Sequence, residues 1–346
     1  METRRPGIYT GYTVSSLYTG RSRRYAALAC AGVTGAGEAA VYQSYTQARA
    51  ALTGEQDSLL LSALGVLFAC GVSRVICYPV GASPTAADYT AAFAALGREE
   101  NVGVLLCDSG EEPVLQALKA SVLASSQNRR ERIGLAACAS PQQAVNLAAG
   151  LNCERVLLCC GSAKAGGETG HPVLLAASLA GVILSGGDPS LSLNGRVLPG
   201  LTGLERSPSE EEVELLLGAG VTPAEWVGGS VECISAITTR THTDGVPDAT
   251  YRQLSTVLII DDLLISVRTA LKERLQGLKN TPQTRESIAS QVTVELAAKQ
   301  EQGLLEGFDP PVVYQNQEDP GLCMVELAVR VAHVIDQILI LAQIQV

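Results

Sequence analysis

Apolar runs of two kinds alternate between residues 58 and 187, and this alternation constrains the fold most. Helical spacing is predicted over 59–69, 85–96, 111–125, 141–151 and 171–184. Between these stretches lie short strands at 74–79, 102–107, 133–138 and 155–160. The strands are continuous apolar runs rather than alternating ones. Residues without a polar side must be buried on both faces, which predicts a central, largely parallel sheet covered by helices: an α/β fold. Ser140 and the Ser83-Pro84-Thr85 step supply helix starts. Residues 186–208 are rich in Gly, Pro and Ser and read as a loop leaving this domain. A further helix is expected over 209–217, with Glu210, Glu211 and Glu212 in its first turn, and a strand over 231–239. Residues 241–249 read as a hairpin or loop.

The last hundred residues change character. Val257, Ile260, Leu264, Val267, Leu271 and Leu275 recur at spacings of three and four, one apolar stripe on a long helix, with Gly277 as its stop. A second helix is predicted to start at Thr281-Pro282, a cap residue followed by proline, and to bury Ile288, Val292 and Leu296. Asp309-Pro310-Pro311 closes the helical region. Beyond it, Val325, Leu327, Val329 and Val331 alternate with Glu326, Ala328, Arg330 and Ala332, a return strand with one dry face. The tail keeps the same period: Ile338, Ile340, Ala342, Ile344 and Val346 share a face. Such a strand either closes the domain's own sheet or pairs with another chain. The N-terminal region offers a counterpart. Ile8, Tyr9, Thr10, Tyr12 and Val14 form an extended run, cut off by a basic, polar stretch over 15–24.

Residues 5–12, reading RPGIYTGY, resemble the arm that opens the sheath proteins of contractile phage tails. Residues 31–35 and 42–45 resemble the first core strand and following step of those sheaths. Residues 251–288 are similar to their C-terminal helices, and 319–340 to their return strand and C-terminal arm. Residues 198–203 resemble the family's connector. The resemblance covers roughly the first 45 and last 120 residues. It points to a compact sheath of a phage, a prophage or a phage-tail-like particle, without extra surface domains.

The resemblance implies a division into an N-terminal arm and linker (1–25), an α/β domain (26–225), a C-terminal sheath domain of two helices plus strands (226–334) and a C-terminal arm (335–346). It implies hexameric rings stacked helically around an inner tail tube, bounded by baseplate and terminator proteins. The polymer would assemble in the host cytoplasm and act in the tail. Ile8, Tyr9, Thr10, Tyr12 and Val14, with Ile338, Ile340 and Ile344, would be the inter-subunit arms. The C-terminal helices would face the tube, and Lys272, Arg274, Lys279 and Arg285 are the clustered cations available for it.

Composition agrees with a protein surrounding protein. A net charge of −10 opposes direct nucleic-acid binding, which needs a basic face. Aromatic residues are 4% and the single tryptophan is Trp226, so stacking platforms for single strands are not expected. Residues 58–73 lack charge but fall short of the roughly 20 residues that span a bilayer. The first residues carry no apolar run of the signal-segment kind, and the ten cysteines form no C-x-x-C pair, so buried, reduced thiols are expected.

The rival reading is an α/β enzyme or small-molecule binder. Gly32, Gly35 and Gly37 have reversed spacing for a dinucleotide loop, and residues 161–167 around Lys164 lack the phosphate-loop pattern. Asp108, Glu111 and Glu112, around Ser109, read as acids favoured at a helix N-terminus rather than an acid/base cluster. His171, His242 and His333 are too scattered for a metal site, and His333 is expected to be packed within the return strand. A G-x-S-x-G elbow is lacking. No catalytic residue, metal ligand or cofactor is therefore expected.

Overall fold

The strand Tyr25–Cys30 runs parallel to both its neighbours, Val75–Pro79 on one side and Val102–Cys107 on the other. The chain's first described strand is thus interior to the sheet, and the strand order reverses across it. The structure is a computed structural model that describes residues 24–54, 58–167, 169–275 and 278–333, with the side chains of 273–275 also outside the description.

The main sheet has nine strands in the order Ala40–Tyr42, Val75–Pro79, Tyr25–Cys30, Val102–Cys107, Ile133–Cys138, Val156–Cys160, Thr222–Val227, Ser230–Cys233 and Arg196–Val197. Contacts from Val75–Pro79 to Thr222–Val227 are parallel, while both ends of the sheet finish antiparallel. Alternate residues feed two cores. Ala26, Leu28 and Cys30 face one, with the helices Leu59–Ala69 and Pro172–Ser185. Ala27 and Ala29 face the other, with Ala86–Leu96, Glu112–Gln127 and Pro141–Leu151. Burial on both faces is why these strands carry no polar alternation. Cysteines are part of the filling: nine of the ten are buried, and Cys323 is half-buried.

The starts of the helices follow their capping residues. Ser58, Ser140 and Thr281 each accept a backbone N–H from the first turn. At Ser209 a capping box is closed by Glu212, and Glu210–Gly218 follows.

Three sequence expectations are corrected. The strand predicted over 231–239 stops at Cys233. Beyond it Thr222 Oγ1 bonds both the N–H and the carbonyl of Ile237, and Thr239 N–H donates to the Val156 carbonyl, so these backbone groups are satisfied outside a ladder. The nine-stranded sheet therefore crosses the expected domain boundary at 225/226. The second C-terminal helix, Pro282–Glu301, ends at Gly303 (φ 74°) rather than at the prolines, leaving room for the strand Leu305–Phe308. The return strand splits in two. Val329–Val331 pairs with Leu305–Phe308, and Cys323–Glu326 pairs with Val312–Gln315. Asp309-Pro310-Pro311 interrupts the partner, and proline offers no N–H to a ladder; Asp309 N–H meets the Ala328 carbonyl at the break.

Candidate functional site

The helix Leu254–Leu275 joins the C-terminal domain to the α/β body, and its burial differs from the predicted single stripe. Leu254 and Val257 belong to the core of the main sheet. Ile259, Leu263 and Val267 belong to a separate core with Val292, Leu296, Leu304 and Leu305, against which Val325, Leu327, Val329 and Val331 pack. The helix thus has two buried faces. Leu264, expected inside, is 37% exposed.

Polar contacts reinforce the junction. Asp261, fully buried, accepts from Arg155 Nη1 at 3.0 Å and Nη2 at 2.8 Å. Burial pushes the Asp261 carboxyl up, and the hydrogen bonds and charge of Arg155 oppose that shift. Further along the same helix, Arg268 Nη2 donates to Glu131 Oε1 at 2.6 Å, and Asp262, the residue after Asp261, accepts from Lys299 Nζ at 2.7 Å. The first of these ties the helix to the body and the second ties it to Pro282–Glu301. Sequence reasoning missed this set of ion pairs; its one signal was a charged residue, Asp261, at helical spacing from Val257 and Leu254.

Beyond the helices stand two two-stranded sheets, Leu305–Phe308 with Val329–Val331 and Val312–Gln315 with Cys323–Glu326. Among the described residues, neither has a third strand. Val312 and Tyr314 share an exposed face of the second, 56% and 39% exposed. The predicted arm residues Ile8, Tyr9, Thr10, Tyr12, Val14, Ile338, Ile340 and Ile344 lie outside the described residues, as does the stop at Gly277.

The four predicted cations flank the turn between the two helices. Lys272 and Lys279 are exposed. Arg285 is half-buried and donates from Nη1 to Asn280 Oδ1 at 2.9 Å, and the Arg274 side chain is not described.

The residues weighed for chemistry serve the fold. Asp108 is not a helix-start acid, which corrects that expectation. It lies past the end of Val102–Cys107, where its carboxylate accepts from Tyr89 Oη, from the Ala31 N–H at 2.9 Å and from Cys30 Sγ at 3.4 Å. Open parallel sheets bind ligands in the crevice beside the strand that reverses the order, and here Asp108 spans that position. The backbone of Gly32 also bridges to Gly81. Glu111 and Glu112 do sit at a helix start, at the cap and first position. The loop of Gly32, Gly35 and Gly37 leads to the strand Ala40–Tyr42, not to a helix. Lys164 lies in a short strand paired with Gly203–Leu204. His171 caps Pro172–Ser185 by accepting the Val173 N–H at Nδ1, and burial lowers its pKa. His333 follows Val329–Val331 and is exposed, so the expectation of a packed strand residue is overturned. Among the described residues no group of three His, Cys, Asp or Glu side chains could hold a metal ion, and no helix is long and apolar enough to cross a membrane.

Residues 246–345 match the phage tail sheath C-terminal domain family. No curated protein matches the chain in sequence. In three dimensions the chain is similar to the contracted helical sheath of the anti-feeding prophage (TM-score 0.74, 14% identity, covering 99% of this chain and 100% of that one). It is equally similar to the contracted sheath of the PVC extracellular contractile injection system (0.74, 15%, 100% and 99%). The sheath tail protein of Listeria innocua follows at 0.69, with 13% identity over 90% of this chain and 96% of that one.

Proposed function

We propose that this protein is the structural subunit of a contractile tail sheath, because residues 246–345 match the phage tail sheath C-terminal domain family and the whole chain is similar in fold to sheath subunits. It polymerises helically around an inner tail tube and shortens to drive that tube through a cell envelope. The observation that carries this reading is the joint one: a family match confined to the C-terminal domain and a fold likeness extending over the full chain.

The subunit partners first with itself, as a stack of hexameric rings, and at its ends with baseplate and terminator proteins. It resides in the tail or tail-like particle after assembly in the host cytoplasm. Open helical growth is what heterologous, non-closing contacts produce. Neither catalysis nor a cofactor enters the mechanism: the extended lattice is the higher-energy state, and new inter-subunit contacts release free energy on shortening. We divide the chain into an N-terminal arm, an α/β body, a C-terminal domain hinged on Leu254–Leu275 and a C-terminal arm.

The arms link neighbours by adding strands to a sheet of the next subunit. The two-stranded sheets of the C-terminal domain support this, since among the described residues each has no third strand on its edges. The residues concerned are Ile8, Tyr9, Thr10, Tyr12 and Val14 at one end and Ile338, Ile340 and Ile344 at the other. Each lost strand removes several main-chain hydrogen bonds of about 0.5–1.5 kcal/mol each, repeated at every link. Deleting 338–346 or 1–14 is therefore expected to leave a folded monomer, by circular dichroism melting, that forms no sleeves in negative-stain microscopy. A truncation that unfolds, or one that still forms normal sleeves, contradicts the shared-sheet account. Full-length protein that forms only compact oligomers and binds a nucleotide would favour an α/β enzyme instead.

A further inference from the structure

The strands Tyr25–Cys30, Val102–Cys107, Ile133–Cys138 and Val156–Cys160 all end on cysteine, at the same edge of the parallel sheet. Two of these cysteines form a pair. Cys138 and Cys160 are register partners on adjacent parallel strands, and both side chains lie in the same core, 4% and 7% exposed. Neighbouring strands stand about 4.8 Å apart, inside the Cα separation of about 4.4–6.8 Å that a disulfide spans. Each cysteine is the last residue of its strand, and just beyond the ladder Gly161 N–H donates to the Cys138 carbonyl at 2.9 Å, which keeps the two strand ends side by side. Gly161, at φ 128°, comes directly after Cys160.

Other cysteine neighbours lack this arrangement. Cys30 and Cys107 are on adjacent strands but face opposite cores, and the register partner of Cys107 is Ala29. Cys159 and Cys160 are consecutive and also face opposite cores. Within the pair the two sulfurs differ. The adjacent Cys138 thiol and the nearby Arg206 guanidinium pull the Cys160 thiol below the usual range, against its burial. The Cys138 thiol, whose Sγ donates to the Ser140 carbonyl at 3.7 Å, is pushed up first by the adjacent Cys160 and then by burial. A thiolate is the nucleophile in sulfur oxidation.

We propose that Cys138 and Cys160 are an oxidisable dithiol that a hydroperoxide closes to a disulfide. Cys160 sulfur, as thiolate, attacks a peroxide oxygen. The O–O bond breaks, Cys160 becomes a sulfenic acid, and the departing hydroxide takes a proton to leave as water. Cys138 sulfur then attacks Cys160 sulfur. The S–O bond breaks, and the hydroxyl leaves with the Cys138 proton as a second water. Two thiols and hydrogen peroxide thus give one disulfide and two waters. The bond staples the strand–helix–strand unit of Ile133–Cys138, Pro141–Leu151 and Val156–Cys160 without altering the C-terminal domain. A subunit made in a reducing compartment and exposed later to an oxidising one gains this cross-link after folding.

The test uses full-length protein treated with hydrogen peroxide, then unfolded in alkylating agent, digested and analysed by mass spectrometry. The expected product is one Cys138–Cys160 linked peptide that reductant separates, lighter than the two thiol peptides by two hydrogens. In C138S, Cys160 is expected to persist as a sulfenic acid captured by dimedone. In C160S, Cys138 is expected to stay alkylatable. Wild-type protein in which both residues remain alkylatable, or in which either pairs with another cysteine, overturns the proposal. If a serine variant does not fold, the wild-type map alone decides. Because the dithiol rests on these two cysteines' register and shared core and not on the sheath assignment, its failure would leave that assignment standing.

Discussion

Asp261 and Arg155 meet through two hydrogen bonds, 2.8 and 3.0 Å, with the carboxylate fully buried between the α/β body and the C-terminal helix. Removing one partner of such a pair leaves an uncompensated buried charge, which costs about 3–5 kcal/mol. Arg155→Met is therefore expected to lower stability by that order in urea melts. The loss should depend on pH with a definite sign. Burial already raises the Asp261 carboxyl in the fold, and without Arg155 nothing equivalent opposes it. A carboxyl with a raised folded pKa contributes most below its unfolded pKa and loses that contribution as pH rises through the folded value. The variant should thus be less impaired in mildly acidic than in neutral buffer. The double change Arg155→Met with Asp261→Leu should recover much of the loss. An equal loss at both pH values would refute the argument.

Gly181 marks the crossing of Pro172–Ser185 with the end of Leu59–Ala69. A Cβ added there would stand 2.3 Å from Cys70 Cβ and 2.8 Å from its Sγ, both in the buried core. Overpacking of this kind costs about 1–3 kcal/mol. Gly181→Ala is expected to lower the melting temperature accordingly, and adding Cys70→Gly should restore part of it. If the single change leaves the melt unmoved, the helices are not held at this spacing.

Arg132 is the largest fully buried side chain, yet its contacts are carbonyls. Nη1 donates to Leu96 and Nη2 to Glu99, each at 2.9 Å, and Nε donates to Arg130 at 3.3 Å. The guanidinium thus adds a second donor at the end of Ala86–Leu96, where the Leu96 carbonyl also accepts the Glu99 N–H at 3.2 Å. Burial lowers its pKa to about 10, which leaves it charged at neutral pH. Arg132→Met removes three hydrogen bonds to carbonyls, of which the Leu96 carbonyl keeps the Glu99 N–H, and a buried acceptor left without a partner costs about 1–3 kcal/mol. A lysine ammonium is a single compact head and cannot span them, so Arg132→Lys should recover little. Full rescue by lysine, measured in the same denaturant melts, would mean that charge and not the fork is what matters.

The α/β body was legible because burial on both faces forbids polar residues in its strands, as in Val102–Cys107 and Val156–Cys160. Two of its helix starts were legible because Thr85 and Ser140 cap them locally. The long helix was half-legible. Leu254, Val257 and Asp261 face one neighbour, and Ile259, Leu263 and Val267 face another, at the same helical spacings. Periodicity cannot say that two partners exist, so the predicted stripe took Val257 from one row and Val267 from the other, left out Ile259 and Leu263, and put Leu264 wrongly inside. The split of the return strand depended on which segment it pairs with, a tertiary fact. The adjacency of Cys138 and Cys160 is a matter of register, which two well-separated apolar runs do not disclose.

The cations around the helix turn give a last prediction, which rests on the sheath reading. Lys272 and Lys279 are exposed in a chain of net charge −10, and they belong to the domain proposed to face the tube. Arg285 is tied to Asn280 at 2.9 Å and has less freedom to reach outward. If the tube presents an acidic surface, Lys272→Glu with Lys279→Glu should reduce assembly on purified tubes, and Arg285→Glu should matter less. Reversing Arg274 as well completes the set. Contacts between exposed charges are screened beyond about 8 Å at physiological ionic strength, so wild-type assembly on tubes should weaken as salt is raised. Self-assembly into tube-free sleeves, which we propose rests on the arms, should not change. Co-sedimentation with tubes across a salt series measures both effects. Undiminished co-sedimentation by the fourfold reversal would remove these residues from the tube interface.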